Sequence, residues 1–345
     1  MLLGVGNLLN KHSTTIFQIT CGSVYGPDCE KIMKSRGTPV LLVLIRNLFV
    51  AVQVSYAFML VLSGSIATAQ PSSVDLTGVI DFHAHAGPDS RPRAFNDFEA
   101  AQLARQAGLR GIVLKNHFTM TADRAALAMT LVDGLEIFGA VALNRAVGGI
   151  NPEAVRQMVA FDGGRGRVVW LPTFDAEFYV TRAGQGDPFV RIMENGAPVP
   201  ALLEVFSLIA EHELVLAMGH SSPQEVLLLI PIAKNLGVTR ILITHVFGQD
   251  ATPQQMQRMA AAGVIMELDW LAVFTGAVTI AEYVAVITRL GAEHFLISSD
   301  FGQAGNPDHG TGMAAFILAL QDAGINQSQI NVMARRNPAM LLGLD

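Results

Sequence analysis

Short apolar runs alternate with amphipathic stretches throughout the chain after residue 76. Each run is almost continuously apolar, which is typical of parallel strands buried on both faces. The stretches between them repeat apolar residues at helical spacing. The eight runs cover residues 79–82, 111–114, 136–143, 167–171, 214–218, 240–244, 264–268 and 294–298. The helical stretches cover residues 97–106, 121–131, 201–211, 223–236, 253–262, 280–290 and 314–323.

Two of these helices begin with a clear start signal. Ser222 and Thr252 each precede a proline, so a hydroxyl stands at the N-cap and a proline at the first helical position. Eight strand–helix units over about 270 residues predict an α/β fold, the (β/α)8 TIM barrel. The alternative is a doubly wound open sheet. No Gly-x-Gly-x-x-Gly follows the first run, which disfavours a dinucleotide-binding fold.

The first run leads into Asp81-Phe82-His83-Ala84-His85. Strand side chains two residues apart point to the same side, so the two imidazoles are expected to lie together. Two imidazoles beside a carboxylate form half of a divalent-metal site. The alternative is a pair of ordinary surface histidines in a loop.

Further polar residues follow the other runs. In a barrel of this kind the chemistry lies at the carboxyl ends of the strands. Five of the nine histidines fall at such ends, together with a lysine after the second run and an aspartate after the eighth. The candidate metal ligands are therefore His83, His85, Lys115, His117, His220, His245 and Asp300.

Composition narrows the chemistry. The only cysteines are Cys21 and Cys29, so a metal site in the main body must use histidine, carboxylate or a modified lysine. The net charge of −6 gives no basic surface for nucleic acid, and we expect a small-molecule substrate instead. Lys115 is one of only two lysines after residue 34, which makes its place at a strand end stand out.

Residues 33–69 have the pattern of an export signal. Lys34 and Arg36 supply positive charge, a long apolar stretch follows, and Ala67 and Ala69 provide the small residues of a cleavage site. The alternative is an uncleaved membrane anchor.

We therefore divide the chain into an N-terminal extension, residues 1–75, and a barrel, residues 76–345. A cleaved signal predicts an exported, periplasmic protein. Without cleavage the protein would be anchored to a membrane through the N-terminal segment, or cytoplasmic if the segment is neither signal nor anchor. Assembly into a homo-oligomer is left open.

The strand-end residues resemble those of the amidohydrolase superfamily of metal-dependent hydrolases. The resemblance runs from about residue 79 to the end, and residues 336–344 look like the closing helix of that superfamily. Segments 85–89, 114–117, 143–149 and 299–307 look more narrowly like an uncharacterised bacterial branch. The motifs that carry the resemblance are His83-x-His85, His220, His245 and Asp300.

The resemblance implies roles for these residues. His83 and His85 would bind a metal ion at the barrel mouth. His220 and His245 would bind a second ion, or His220 would complete a single-ion site while His245 orients the substrate. Asp300 would ligate metal and take the proton from the attacking water, so Asp300 and His245 are the candidate catalytic residues. Zinc suits such imidazole-rich sites, with manganese, iron or nickel as alternatives.

One departure concerns the bridge between two ions. Superfamily members with two ions carry a carbamylated lysine or a glutamate after strand four, whereas here the fourth run ends in Leu171-Pro172-Thr173. Lys115, if carbamylated, would restore a bridging carboxylate from another strand. The alternative is a salt bridge or a substrate anchor. His117 is a further ligand or a substrate contact, so the number of ions, one or two, stays open.

Three residues are expected to contact the substrate. Arg145 follows the third run and could clamp a carboxylate or phosphate, although a structural ion pair is the alternative. Arg91 and Arg93 allow the same two interpretations. Asp175 begins a glycine-containing segment up to residue 200 that is a candidate lid or substrate wall, and Gln303 lies on the loop after the last run.

The acidic residues of the first and seventh runs are harder to assign. Asp81 precedes the histidine pair with the same strand parity, so we expect it to support a ligating imidazole. Glu267 and Asp269 could face either the pocket or a helix.

The favoured function is a metal-dependent hydrolase acting on an amide, lactone, ester or phosphoester. A single-ion decarboxylase or lyase on the same barrel is the second hypothesis. A non-catalytic exported metal-binding protein is the third, and Asp300 argues against it, because binding alone does not require a base.

Overall fold

The computed structural model describes residues 74–184 and 186–344. Eight parallel strands follow one another around a single sheet in chain order, with helices between them, which confirms the predicted barrel. We number the barrel strands β1 to β8. Their bounds are Ile80–His85, Gly111–Lys115, Glu136–Ala142, Gly166–Trp170, Val215–Ala217, Arg240–Ile243, Ile265–Asp269 and Phe295–Ser298.

The barrel closes through the residues that follow β8. The Asp300 amide donates to the His83 carbonyl at 2.9 Å, and the His85 amide donates to the Phe301 carbonyl at 2.8 Å. The closing contact therefore brings Asp300 beside the two histidines of β1, although 215 or more residues separate them in the chain.

Apolar side chains fill the lower part of the barrel. Ile80, Phe82 and Trp170 belong to this interior cluster, which the C-terminal helix Asn337–Leu342 covers from the amino-terminal side with Leu341. A second, larger cluster packs the outer faces of the strands against the surrounding helices. Polar side chains in the interior are therefore confined to the carboxyl-terminal end.

The helices follow the predicted stretches closely. Ser222 and Thr252 each accept a hydrogen bond from the residue three positions on, in full capping boxes with Glu225 and Gln255. The α-helices span Asp97–Gln106, Ala122–Met129, Pro152–Ala160, Glu177–Arg182, Pro200–Glu211, Pro223–Asn235, Pro253–Ala261, Trp270–Phe274, Ile280–Leu290, His309–Asp322, Gln327–Asn331 and Asn337–Leu342.

The sequence did not predict every element. The helix Pro152–Ala160 fills the connection between β3 and β4, with Asn151 as its N-cap. The segment expected to form a lid holds the short helix Glu177–Arg182 and a two-residue hairpin, Met193–Glu194 with Ala197–Pro198. The helix and hairpin of this segment are short, so hydrophobic periodicity has little length over which to reveal them.

The predicted signal or anchor, residues 33–69, lies outside the described residues, as does almost all of the proposed N-terminal extension. Among the described residues, no helix is both long and apolar enough to cross a bilayer.

Candidate active site

A cavity of about 610 Å³ opens at the carboxyl-terminal end of the barrel. The side chains at its base come from strand ends that are far apart in sequence. His85, His117, His220, His245 and Asp300 all line it. His83 and Lys115 lie beneath them and are almost completely buried.

Asp300 lies at the centre of the cluster. Its Oδ1 is 3.0 Å from Nε2 of His83 and 3.1 Å from Nε2 of His85. Its Oδ2 is 3.6 Å from Nε2 of His245. His83, His245 and Asp300 thus each offer a ligand atom, and these atoms lie within 4.8 Å of one another.

Lys115 lies on the floor of this cluster. Its Nζ is 3.0 Å from Nε2 of His83 and 4.1 Å from the centre of the Trp170 ring. Trp170 ends β4, and the residues after it, Leu171 to Thr173, contribute no carboxylate or amine. Lys115, at the end of β2, therefore places its amine over the Trp170 ring and beside the histidine cluster.

Two carboxylates of β7 hold the histidine rings. Oε1 of Glu267 is 2.9 Å from Nδ1 of His83, and Oδ2 of Asp269 is 3.1 Å from Nδ1 of His245. Glu267 also accepts a hydrogen bond from the His245 amide. Both carboxylates therefore face the site, and Asp269 also lines the cavity, which settles the choice between pocket and helix that the sequence left open.

His117 and His220 complete an arc of imidazoles. The His117 ring stacks on His85 at 4.9 Å, and its Nδ1 is 2.8 Å from Oγ1 of Thr173. The His220 ring centre lies 5.7 Å from that of His245 and 6.4 Å from that of His117. Nδ1 of His220 is buried and makes no hydrogen bond of normal geometry within the described chain.

The rings share one orientation. Nδ1 of His83, His85, His117 and His245 each has a protein partner, for His85 the Lys115 carbonyl at 3.0 Å. An Nδ1–H that donates outward fixes the tautomer and leaves Nε2 with a free lone pair. This is how metal-binding histidines are usually held. The donor set, with the orphaned Nδ1 of His220 beside it, therefore fits a divalent cation.

Two of the site residues have an unusual backbone. His245 has a φ of 46° and Asp300 a φ of 52°, in the left-handed region that non-glycine residues rarely adopt. Such conformations are costly and persist where the surroundings fix them. The sharp turns direct both side chains back over the barrel mouth.

Burial keeps four imidazoles neutral. Desolvation lowers the pKa of each well below its usual value, and the nearby Lys115 adds to this effect. Only a neutral imidazole can ligate a metal ion. The residues concerned are His83, His85, His117 and His220.

His245 behaves differently. Burial alone would lower its pKa, but the carboxylates of Asp269 and Asp300 outweigh this and raise the pKa to about 9. Burial raises the pKa of Asp300 to about 6 and that of Glu267 to about 7. Burial lowers the pKa of Lys115 to about 8, against the attraction of Asp300 and Glu267. Several site groups therefore exchange protons near neutrality, which is common at catalytic sites.

Asp81 does not contact the ring of a candidate metal ligand, contrary to our expectation. The pairing of β1 with β2 shifts register between Asp81 and Ala84, so strand parity changes before the histidines. Asp81 instead accepts hydrogen bonds from the amide and hydroxyl of Ser299, and its Oδ2 is 3.5 Å from Nδ1 of His309. It therefore anchors the residue that precedes Asp300.

Of the three predicted substrate contacts, one lines the cavity and two do not. Gln303 lines the cavity, and its side-chain amide donates to the Asp300 carbonyl at 2.7 Å. Arg145 and Asp175 do not line it: the Arg145 side chain is exposed, and Asp175 accepts a hydrogen bond from the Arg145 amide at 2.9 Å. Arg91 and Arg93 do line the cavity.

Aromatic residues form one wall of the cavity. The Phe174 ring centre is 4.0 Å from that of His117 and 5.5 Å from that of Tyr179. Phe178 and Arg182, from the same short helix as Tyr179, complete this side. Part of the segment predicted as a lid therefore forms the cavity wall.

Comparison with known proteins identifies a family. A model described as a family of unknown function (DUF6282) matches residues 78–267, more than half of the chain. The chain belongs to the DUF6282 family. The matched region includes six of the seven predicted metal ligands and Glu267, and it ends before Asp269 and Asp300. No curated protein matches this DUF6282 chain.

Solved structures with the same barrel are distant in sequence. The phosphotriesterase homology protein from Escherichia coli, complexed with phosphate, has a TM-score of 0.55 at 17% identity, over 78% of this chain and 99% of that one. A mutant organophosphorus hydrolase from Deinococcus radiodurans has a TM-score of 0.53 at 20% identity, over 78% and 94%. A mutant lactonase of the same organism has a TM-score of 0.52 at 17% identity, over 79% and 97%. This similarity establishes the fold of the DUF6282 protein.

Proposed function

We propose that this DUF6282 protein is a metal-dependent hydrolase that cleaves an ester, lactone, phosphoester or amide bond of a small molecule. The observation that carries the proposal is the convergence of imidazole Nε2 atoms on the buried carboxylate of Asp300 at the base of an open cavity. The structurally similar proteins include an organophosphorus hydrolase and a lactonase, and their activities agree with this reaction type.

The chain offers ligands for one or two divalent ions. His83, His85 and Asp300 form one group, and His220 with His245 forms a neighbouring one. A divalent cation held there would lower the pKa of a water molecule to about 7 and polarise the oxygen of the bond to be cleaved. Imidazole-rich ligand sets favour zinc, with manganese, iron and nickel as the alternatives.

The residues of the chain supply the remaining chemistry. Asp300, with a pKa raised to about 6 by burial, can take a proton from water near neutral pH and return it to the leaving group. Asp269 and Glu267 hold His245 and His83 in place. The aromatic wall shields one side of the reacting centre from bulk water.

A single-ion lyase is the second candidate. Its support is the end of β4, where Trp170 and the following residues supply no bridging carboxylate. A carbamylated Lys115 is the replacement that the sequence predicts for that bridge, so the number of bound ions separates the two candidates.

The proposal is tested by assaying a carboxyl ester, a lactone and a phosphotriester with metal-loaded and chelated protein. We expect at least one substrate to be hydrolysed by the loaded protein only. Asp300→Asn is the decisive variant, because asparagine tolerates the left-handed backbone of this position and the variant removes the carboxylate that serves as base and metal ligand. We expect it to reduce kcat/KM at least about 100-fold. Equal activity of wild type and Asp300→Asn would contradict the proposal.

A further inference from the structure

Three arginines line the active-site cavity, and two of them are already neutralised. Arg93 forms an ion pair with Asp89 at 2.7 Å. Arg182 pairs with Asp250 at 3.0 Å and also donates to a backbone carbonyl. Neither guanidinium is therefore available to a ligand without breaking an existing contact.

Arg91 is the exception. Its Cζ atom lies 4.1 Å from the centre of the Phe174 ring and 5.8 Å from that of Phe118. Among the residues that the structure describes, no carboxylate forms an ion pair with it, and its side chain is exposed at the cavity rim. The cation is thus positioned by an aromatic face and left without a counter-charge.

Stacking leaves the guanidinium able to bind. A guanidinium that lies on an aromatic ring keeps its N–H groups at the edge, in the plane that a carboxylate meets with two parallel hydrogen bonds. Phe174 lies between Arg91 and the imidazoles. Its ring centre is 4.0 Å from that of His117 and 5.7 Å from that of His220. An anion at Arg91 would therefore be separated from the candidate metal ligands, which we call the metal-ligand cluster (His83, His245 and Asp300 with the neighbouring imidazoles), by the Phe174 ring.

We propose that Arg91 binds a carboxylate on the substrate, so that the enzyme acts on small acids whose scissile bond lies several atoms from the acid group. This inference rests on the proposed hydrolase function and deepens it. One unpaired cation balances one negative charge, which fits a carboxylate. A phosphate monoester carries nearly two charges at neutral pH, and one guanidinium would leave one of them unbalanced. The walls of Phe174, Phe178 and Tyr179 suit an apolar spacer between the two groups.

Two matched esters test the proposal: mono-4-nitrophenyl glutarate, which carries the free acid, and its methyl ester, which is neutral. We expect wild type to prefer the acid. Arg91→Gln should lower kcat/KM for the acid roughly 10- to 100-fold, the effect of losing charged hydrogen bonds, and change that for the methyl ester less than about twofold. Arg145→Gln is the control, because it removes an exposed arginine outside the cavity.

A binding measurement separates this inference from the hydrolase proposal. Calorimetric titration compares phenylacetate with the uncharged phenylacetamide on wild type, Arg91→Gln and Arg145→Gln. We expect phenylacetate to bind wild type and the control alike, and Arg91→Gln roughly tenfold or more weakly. If neither ester is cleaved but this dependence is found, the acid site stands and the hydrolase proposal fails. If phenylacetate binds Arg91→Gln as tightly as wild type, or if the esters are cleaved and the acid is not preferred, the acid site is refuted.

Discussion

At the scale of single residues, the site depends on hydrogen bonds that turn imidazoles inward. Nδ1 of each of four imidazoles has a protein partner: Glu267, Asp269, Thr173 or the Lys115 carbonyl. The Nε2 atoms of His83, His85 and His245 face Asp300. The expectation that functional residues lie at the carboxyl ends of the strands was enough to select all the histidines that converge here. It could not select Glu267 and Asp269, since the face a strand residue presents depends on twist and register. The bulge in β1 misled it for Asp81.

Whether the site binds one metal ion or two depends, in our account, on whether Lys115 provides the bridging carboxylate. Its amine has a pKa lowered to about 8 by burial, so a neutral fraction able to add to carbon dioxide exists near neutral pH. We expect Lys115→Ala to lose bound metal and activity, and Lys115→Glu to retain both, because glutamate supplies a carboxylate directly. Elemental analysis of the two variants measures this. Full metal content in Lys115→Ala would show that Lys115 does not bridge.

At the scale of elements, the contact between β1 and the chain after β8 builds the metal-ligand cluster. The strands were predictable to within a few residues, because runs buried on both faces are apolar almost throughout. The closure of the barrel could not be predicted in the same way. It depends on the backbone geometry after β8, which no hydrophobic pattern encodes. Gly302 shows this: it has a φ of 120°, and a Cβ there would lie 1.8 Å from the His85 carbonyl oxygen.

Gly302→Ala should therefore separate β1 from the β8 loop. We expect a loss of about 3 kcal/mol or more in the free energy of unfolding, together with weaker metal binding, because His85 and Asp300 move apart. Gly324→Ala is the matched control: its φ is also positive, at 98°, but no atom lies within 4 Å of the added Cβ. It should cost only about 1–2 kcal/mol. Urea denaturation of both variants measures the difference, and equal losses would contradict the role given to Gly302.

At the scale of the whole molecule, the buried imidazoles and carboxyl groups of the site make the stability of the fold depend on pH. Four imidazoles stay neutral in the fold with pKa values far below normal, whereas unfolding returns each pKa to about 6.5. Below that pH the unfolded chain binds more protons, so stability falls as the pH falls. Asp300 and Glu267 oppose this, because their raised pKa values make the fold bind protons there. His245, with a pKa of about 9, is protonated in both states near pH 5.5.

Four imidazoles take up protons on unfolding and two carboxyl groups release them, so the net effect near pH 5.5 is proton uptake. We therefore expect the Tm of chelated protein to fall between pH 7 and pH 5.5. His117→Gln should remove up to about one proton from the slope, because it removes one of the four buried imidazoles whose pKa is lowered in the fold. Thermal unfolding followed by circular dichroism measures each slope. A Tm that rises on acidification would contradict the neutral, buried imidazoles.

The most direct test of the central claim is the metal content of the purified protein, measured by inductively coupled plasma mass spectrometry. The account predicts one or two equivalents of a divalent transition metal in wild type. It predicts loss of that metal in the variant that carries both His83→Asn and His245→Asn, which removes two of the three ligand atoms closest to one another. Wild-type protein that holds no metal even after incubation with zinc or manganese, or a double variant that binds as much as wild type, would contradict it.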